Sequence, residues 1–272
     1  MIEAVINLSR EDGNYNLIQY PDGQQDIVIT YIESSSVIIK SRMNSFRDIE
    51  KILCTTAALR RIGCKNIELA VPYVLGARGD RKFQWGGTSY LRDVVAPILN
   101  AQNYNRVNVY DIHNPVMADA CIDRLVVQDN SKLVQEALTD IGREDVIICC
   151  PDEGASKKIC PLLKKIEYTG DVITCSKKRD VNGSITETSV GNLTSCKNRP
   201  VAIIDDICDG GRTFIEIAKK VQERDCNEMY LIISHGIFSN GYEELSKWFK
   251  KIYCTNSVSD INNLLIKQTV VI

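Results

Sequence analysis

The sequence predicts an α/β protein of two domains, each a largely parallel sheet flanked by helices. Three observations point there. Short apolar runs of strand length alternate with longer amphipathic runs of helical period, as in strands joined by helical crossovers. The 272 residues suffice for two ordinary domains, each with its own core. Residues 201–214, VAIIDDICDGGRTF, pass from an apolar strand through acids and glycines towards a helix.

In chain order, strands are predicted at Asp26–Thr30 and Ser36–Ile39, then a helix at Asp48–Ile62 that Gly63 terminates. A strand at Asn66–Val71 follows, then a helix at Leu91–Leu99 that Pro97 kinks or shortens. A strand at Arg106–Tyr110 closes the first half. Ser131–Ile141 reads as a helix that opens with a Ser cap and ends before Gly142. Strands at Val146–Cys149, Asp171–Thr174, Val201–Ile204 and Glu228–Ile233 follow, with helices at Phe214–Arg224 and Tyr242–Lys250. Both halves repeat the order strand, charged loop, helix, strand. The boundary near Val126–Ser131 gives domains of residues 1–128 and 129–272.

Composition excludes several classes. Hydrophobic residues make up 44% and charged residues 25% of the chain, as in globular proteins. A formal net charge of −2 implies no general nucleic-acid partner. No apolar run approaches membrane-spanning length, and MIEAVINLSRED at the start lacks a signal-peptide pattern. The 11 cysteines are odd in number, contain no C-x-x-C pair and often sit in apolar runs such as Cys149–Cys150. Reduced, buried thiols and a cytoplasmic location are the expectation, not a disulfide framework or a zinc site.

The chemistry is carried by loops after strands. In 201–214, Gly210 and Gly211 allow close backbone approach to a phosphate, a helix N-terminus offers N–H groups, and Thr213 adds a hydroxyl. Asp205 and Asp206 suit ribose hydroxyls, or a Mg²⁺ that bridges to pyrophosphate oxygens. Arg212 either ligates phosphate or faces solvent. Residues 71–83, VPYVLGARGDRKF, cluster Arg78, Arg81 and Lys82 after a strand, which suits polyphosphate. Residues 107–115 end a strand in Asp111 and His113. Residues 171–193 put Lys177, Lys178 and Arg179 at the start of a long polar loop, read as a mobile lid or a solvated basic turn. Neither a Walker loop nor a G-x-G-x-x-G fingerprint is present.

The 201–214 segment resembles the phosphoribosyl loop of phosphoribosyltransferase-type folds. Six segments in order make nearly the whole chain resemble the ribose-phosphate diphosphokinase (phosphoribosyl pyrophosphate synthetase) family. They are Tyr20-Pro21-Asp22-Gly23-Gln24, the run from Pro72-Tyr73 to Arg78-Gly79-Asp80-Arg81, Asp111-Ile112-His113, Pro151-Asp152-Glu153-Gly154-Ala155, Lys177-Lys178-Arg179 and Ser234-His235-Gly236. The resemblance implies two phosphoribosyltransferase-type domains. It also implies transfer of the diphosphoryl group of MgATP to the 1-hydroxyl of ribose 5-phosphate. Tyr20, Asp22, Gly23, Gln24, Arg78, Gly79 and Asp80 would then bind ATP. His113 and Asp152 would serve Mg²⁺, and Lys177 and Arg179 would be catalytic. Asp205, Asp206, Asp209, Gly210, Gly211, Arg212 and Thr213 would hold ribose 5-phosphate. A homo-oligomer with a subunit-shared ATP site is implied too. Gln24 and Gly79 depart from the family's usual Glu and Gln, so the adenine contacts differ. Two other readings compete. One is a phosphoribosyltransferase that consumes phosphoribosyl pyrophosphate, which leaves the Pro72–Arg81 segment and the basic loop unexplained. The other is a non-catalytic partner of true synthetases, against which Asp152, Lys177 and Arg179 argue.

Overall fold

The computed structural model describes residues 4–32, 34–79, 85–142, 145–179, 185–191 and 195–272. The chain forms two compact units, residues 1–128 with 271–272, and residues 129–270.

In the first unit, β1 (Ala4–Asn7) is followed by the strands β2 (Tyr15–Gln19) and β3 (Gln25–Ile29), which pair only with each other as an antiparallel ribbon. Then come β4 (Ser36–Lys40), α1 (Phe46–Arg61), β5 (Asn66–Ala70), α2 (Ala96–Asn100), β6 (Arg106–Tyr110), α3 (Pro115–Cys121) and β7 (Leu125–Gln128). The main sheet has the order β1-β4-β5-β6-β7 and is parallel throughout. Its inner strands β4 and β5 alternate burial, and Ile39, Leu69 and Val107 share a core with Ile49 and Ile52 of α1. Ser45 and Asp48 form a capping box that fixes where α1 starts. Helix α2 is preceded by a π turn, Leu91–Val95, in which the Ala96 N–H reaches back to Leu91 O. Pro97 has no N–H for the ladder, so the register slips just before it and the predicted helix is divided there. The last two residues group with this unit, and Arg10 Nη2 donates to Ile272 O at 2.6 Å.

In the second unit, α4 (Ser131–Ile141) has the predicted bounds and ends at Gly142 in the left-handed region, φ 102°, but its cap is Asn130, with Ser131 already the first helical residue. It is followed by β8 (Ile147–Cys150), α5 (Glu153–Lys165), β9 (Val172–Arg179), β10 (Ile185–Val190), β11 (Val201–Cys208), α6 (Arg212–Gln222), β12 (Met229–Gly236), α7 (Glu243–Ser246), β13 (Lys251–Thr255) and β14 (Ile266–Thr269). The sheet order is β10-β9-β8-β11-β12-β13-β14, with only β10 antiparallel. Strand alternation splits β11 between two cores. Val201 and Ile203 meet Phe214 and Ile217 of α6, while Ala202 and Ile204 share the other face with α4 and α5. Burying each large apolar side chain of α6 contributes about 1.5–3 kcal/mol.

Three expectations need correction. The strand expected at Asp171–Thr174 is not followed by one long polar loop, because β9 runs on through Lys177–Arg179 and pairs with the antiparallel β10. The helix expected at Tyr242–Lys250 lasts only four residues, Glu243–Ser246. Phe249 is buried, and the Lys250 N–H bonds Met229 O, which draws the chain into β13. The strand from Val201 does not stop before the acids but continues to Cys208.

Candidate functional site

In the second unit, β8, β9 and β11 are neighbours that run parallel, so their carboxyl ends open at one edge of the sheet. Three of the predicted segments follow or occupy those ends. Pro151 and the helix cap Asp152 follow β8, the backbone of Lys177–Arg179 is the last part of β9, and Asp209–Gly211 follows β11. The side chains of Lys177 and Arg179 lie outside the described residues.

Asp205 and Asp206 are strand residues, so their side chains leave opposite faces of β11. Asp205 is half-buried, and its Oδ1 accepts the Asp206 N–H at 2.9 Å. Asp206 is only 7% exposed and accepts from Lys158 Nζ of α5 at 3.0 Å. A carboxylate so removed from water needs such a partner. After Asp209 and Gly210, Gly211 turns the chain at φ 78° and Arg212 opens α6. The first N–H groups of a helix have no partners within it, so they face the loop. Arg212 is exposed and Thr213 half-buried.

The loop after β12 buttresses this turn. Ile237 and Phe238 donate their N–H groups to Cys208 O, and Asn240 Nδ2 donates to Gly210 O at 3.3 Å. Gly236 leaves the room that the Phe238 ring occupies. His235 is buried and its Nδ1 lies 2.8 Å from Ser257 Oγ, so it serves the core. Lys158 and Asn240 were not singled out from sequence. The Ser-Asn-Gly run at 239–241 signalled only a turn, and a lysine on an amphipathic helix signals only a solvated face.

Asp152 caps α5, accepting the Ala155 N–H at 3.0 Å. Burial pushes the neighbouring Cys150 thiol up to about 12, so no thiolate nucleophile exists there at neutral pH.

In the first unit, β5 and β6 are parallel neighbours, and the loops after them share one edge. The first loop is held by Ala77 N–H to Val74 O and Gly79 N–H to Gly76 O. Tyr90 lies against it: a Cβ on Gly79 would sit 3.0 Å from Tyr90 Cβ. Arg78 is exposed on this loop, and Asp80 lies outside the described residues. The second loop carries Asp111, buried and at φ 38°, and then His113, exposed. Tyr20, Asp22, Gly23 and Gln24 meet at the tip of the β2–β3 ribbon. There Gly23, at φ 95°, donates to Tyr20 O, Tyr20 donates to Gln24 O, and the Gln24 N–H bonds Asp22 Oδ1. Tyr20 is 43% exposed, as a ring available for stacking must be.

Among the described residues no cluster of three or more His, Cys, Asp or Glu side chains forms a metal cage. Mg²⁺ held with phosphates does not need one, because one or two carboxylates plus water and phosphate oxygens suffice. The donor chemistry of Asp152 fits that role. His113 is a nitrogen donor and fits best through a water.

No described helix is long and apolar enough to cross a membrane. The ribose-phosphate pyrophosphokinase of Pyrococcus furiosus is 27% identical over 251 residues, 90% of this chain and 86% of that one. The Mycoplasma genitalium enzyme of that name is 26% identical over 227 residues, and the match covers 80% of this chain and 66% of the relative. Among solved structures, a phosphoribosylpyrophosphate synthetase from Mycobacterium smegmatis superposes with TM-score 0.80 at 15% identity, covering 94% of this chain and 85% of that one. The model of the phosphoribosyl transferase domain matches residues 122–269, the span that contains the acids, the glycine turn and α6. With more than half of its length under that model, the chain belongs to the phosphoribosyl transferase domain family.

Proposed function

We propose that the protein transfers the diphosphoryl group of MgATP to the 1-hydroxyl of ribose 5-phosphate, forming phosphoribosyl pyrophosphate and AMP. The observation that carries this reading is one sheet edge in the second unit. It combines a glycine turn at a helix start, an acid pair and the basic end of β9. The likeness to named pyrophosphokinases over 80–90% of the chain supports it further.

In the reaction the ribose O1 bonds to the β-phosphorus, the bond from that phosphorus to the α–β bridging oxygen breaks, AMP departs with the oxygen, and the hydroxyl proton passes to solvent. Mg²⁺ supplies charge neutralisation on the phosphate oxygens. Asp152 would hold it with phosphates and water, and His113 would assist from the ATP side. The Asp209–Thr213 turn would cradle the 5-phosphate, with Arg212 at its rim, and Asp205 and Asp206 would orient the ribose. Tyr20 would stack on adenine beside Asp22, Gly23 and Gln24, while Arg78, Gly79 and Asp80 would line the ATP phosphates. Lys177 and Arg179 would stabilise charge on the transferred group. A cytoplasmic homo-oligomer with a shared ATP site belongs to the same reading.

The test is AMP release from MgATP. AMP should form only when ribose 5-phosphate is present, with phosphoribosyl pyrophosphate in equal amount. AMP formation that ignores ribose 5-phosphate, or none at all, refutes the reading. Consumption of phosphoribosyl pyrophosphate in the presence of a base would favour the phosphoribosyltransferase alternative. If the ATP site is shared, mixing inactive Tyr20→Ala and Lys177→Ala proteins should restore part of the activity after subunit exchange. Failure to do so, with a monomer in sedimentation, contradicts sharing.

A further inference from the structure

Lys158 belongs to no motif, yet it holds an acid of the candidate ribose site. It lies in α5, whose Ile159, Leu162 and Leu163 are buried in the core that also contains Ile204 of β11. Its backbone is therefore fixed. Its ammonium reaches Asp206 at 3.0 Å, with side-chain exposures of 29% for the lysine and 8% for the acid. Its neighbour Lys157 is exposed. A buried ion pair is a poor device for stability alone, because well-packed apolar replacements are often neutral or better. What it does supply is one orientation and one charge state. Asp206 is also tied to Asp205 through its own N–H.

We propose that Lys158 is a positioning residue for ribose 5-phosphate: by fixing the Asp206 carboxylate, it sets that acid against the ribose hydroxyls. This rests on the diphosphokinase reading for the identity of the sugar. Lys158 acts on substrate through Asp206, so its removal is expected to weaken the sugar and spare the nucleotide. Supporting groups of this kind are typically worth about 10–100-fold in affinity.

The experiment measures ribose 5-phosphate binding by calorimetry without ATP, and KM and kcat for both substrates, in Lys158→Met, Lys158→Arg, Asp206→Asn and the double variant Lys158→Met/Asp206→Asn. Lys157→Met is the control. Lys158→Met should weaken ribose 5-phosphate binding at least about tenfold and leave the KM for ATP within about twofold. Lys158→Arg should recover most of the loss. The double variant should bind no worse than Asp206→Asn alone, because the lysine then has no carboxylate to orient. Unchanged binding in Lys158→Met overturns the proposal. So does a loss in the double variant equal to the sum of the single losses, or an equal loss for both substrates that arginine does not rescue. If Lys158→Met does not fold, Lys158→Arg and Asp206→Asn still decide: arginine must retain binding that asparagine loses. A wild type that binds ribose 5-phosphate in a Lys158-dependent way but makes no AMP defeats the activity reading and leaves this one standing. AMP formation that Lys158→Met leaves untouched does the reverse.

Discussion

Gly211 shows how much one position can carry. Its φ of 78° lies where side chains are strained, and an added Cβ would come within 3.0 Å of Leu245 Cδ2. Gly211→Val is therefore expected to cost about 1–3 kcal/mol of stability. It should also raise the KM for ribose 5-phosphate at least about tenfold, with the KM for ATP nearly unchanged, because the turn's N–H groups are displaced from the phosphate. Denaturant titration and steady-state kinetics check the two halves separately. The turn at Gly210–Gly211 was legible in sequence because its cause, a backbone conformation that favours glycine, is local. Lys158 was not. Its partner lies 48 positions away, and only the packing of α5 on the sheet brings them together. Gly79 is a further case: the sequence shows a departure from the usual family residue, but only the structure shows Tyr90 filling the space a longer side chain would need.

At the scale of elements, the β9–β10 ribbon is the main revision. Polar residues masked it, yet Ile185, Thr186, Thr188 and Val190 are β-branched, as strand positions prefer. Thr188 pairs with Lys177 and Glu187 with Lys178. Lys177 and Arg179 are thus alternate residues of β9, with Lys178 between them. This sharpens the expectation for catalysis. Lys177→Ala should lower kcat by about 10²–10³, as for loss of one preorganised electrostatic donor, with only a few-fold change in the KM for ATP. Lys178→Ala should do much less. Kinetics on the two single variants decide it, and greater damage from Lys178→Ala would shift the active register by one residue. The interruption at Pro97 was expected, whereas the length of α7 was misjudged. Amphipathic periodicity reports burial but not which hydrogen-bond acceptor the backbone will find.

For the whole molecule, the alternation of strands and helices made the α/β class legible, since parallel pairing requires crossovers. Strand order was not legible, because which strand inserts between two others is decided by packing. All eleven cysteines are free thiols, and several carry a consequence for stability. Burial pushes the Cys254 thiol up to about 12, and Cys149, hydrogen-bonded to Cys175 and buried, is also raised. Such a group keeps its proton in the folded protein while the unfolded chain loses it above its ordinary value of about 8.5. Its stabilising effect is complete below that pH and is lost as pH climbs towards 12. Each fully buried thiol then costs up to about 1.4 kcal/mol per pH unit. The denaturation midpoint should be flat from about pH 7 to 8.5 and fall beyond about pH 9. Cys254→Ala should make that fall shallower. A midpoint unchanged at pH 10 would contradict it.

Strand β12 is buried at all eight of its positions and is paired on both sides, by β11 and β13. Its amides, and those of β11 beside it, can exchange with deuterium only when the unit opens globally, whereas β10 has a neighbour on one side only and can exchange through local opening. Exchange measured by mass spectrometry should rank peptides from 201–208 and 229–236 slowest and 185–190 among the fastest of the strands. The turn at Asp209–Gly211 would then be rooted in the part of the chain that opens last. Binding and release would have to proceed without melting that base.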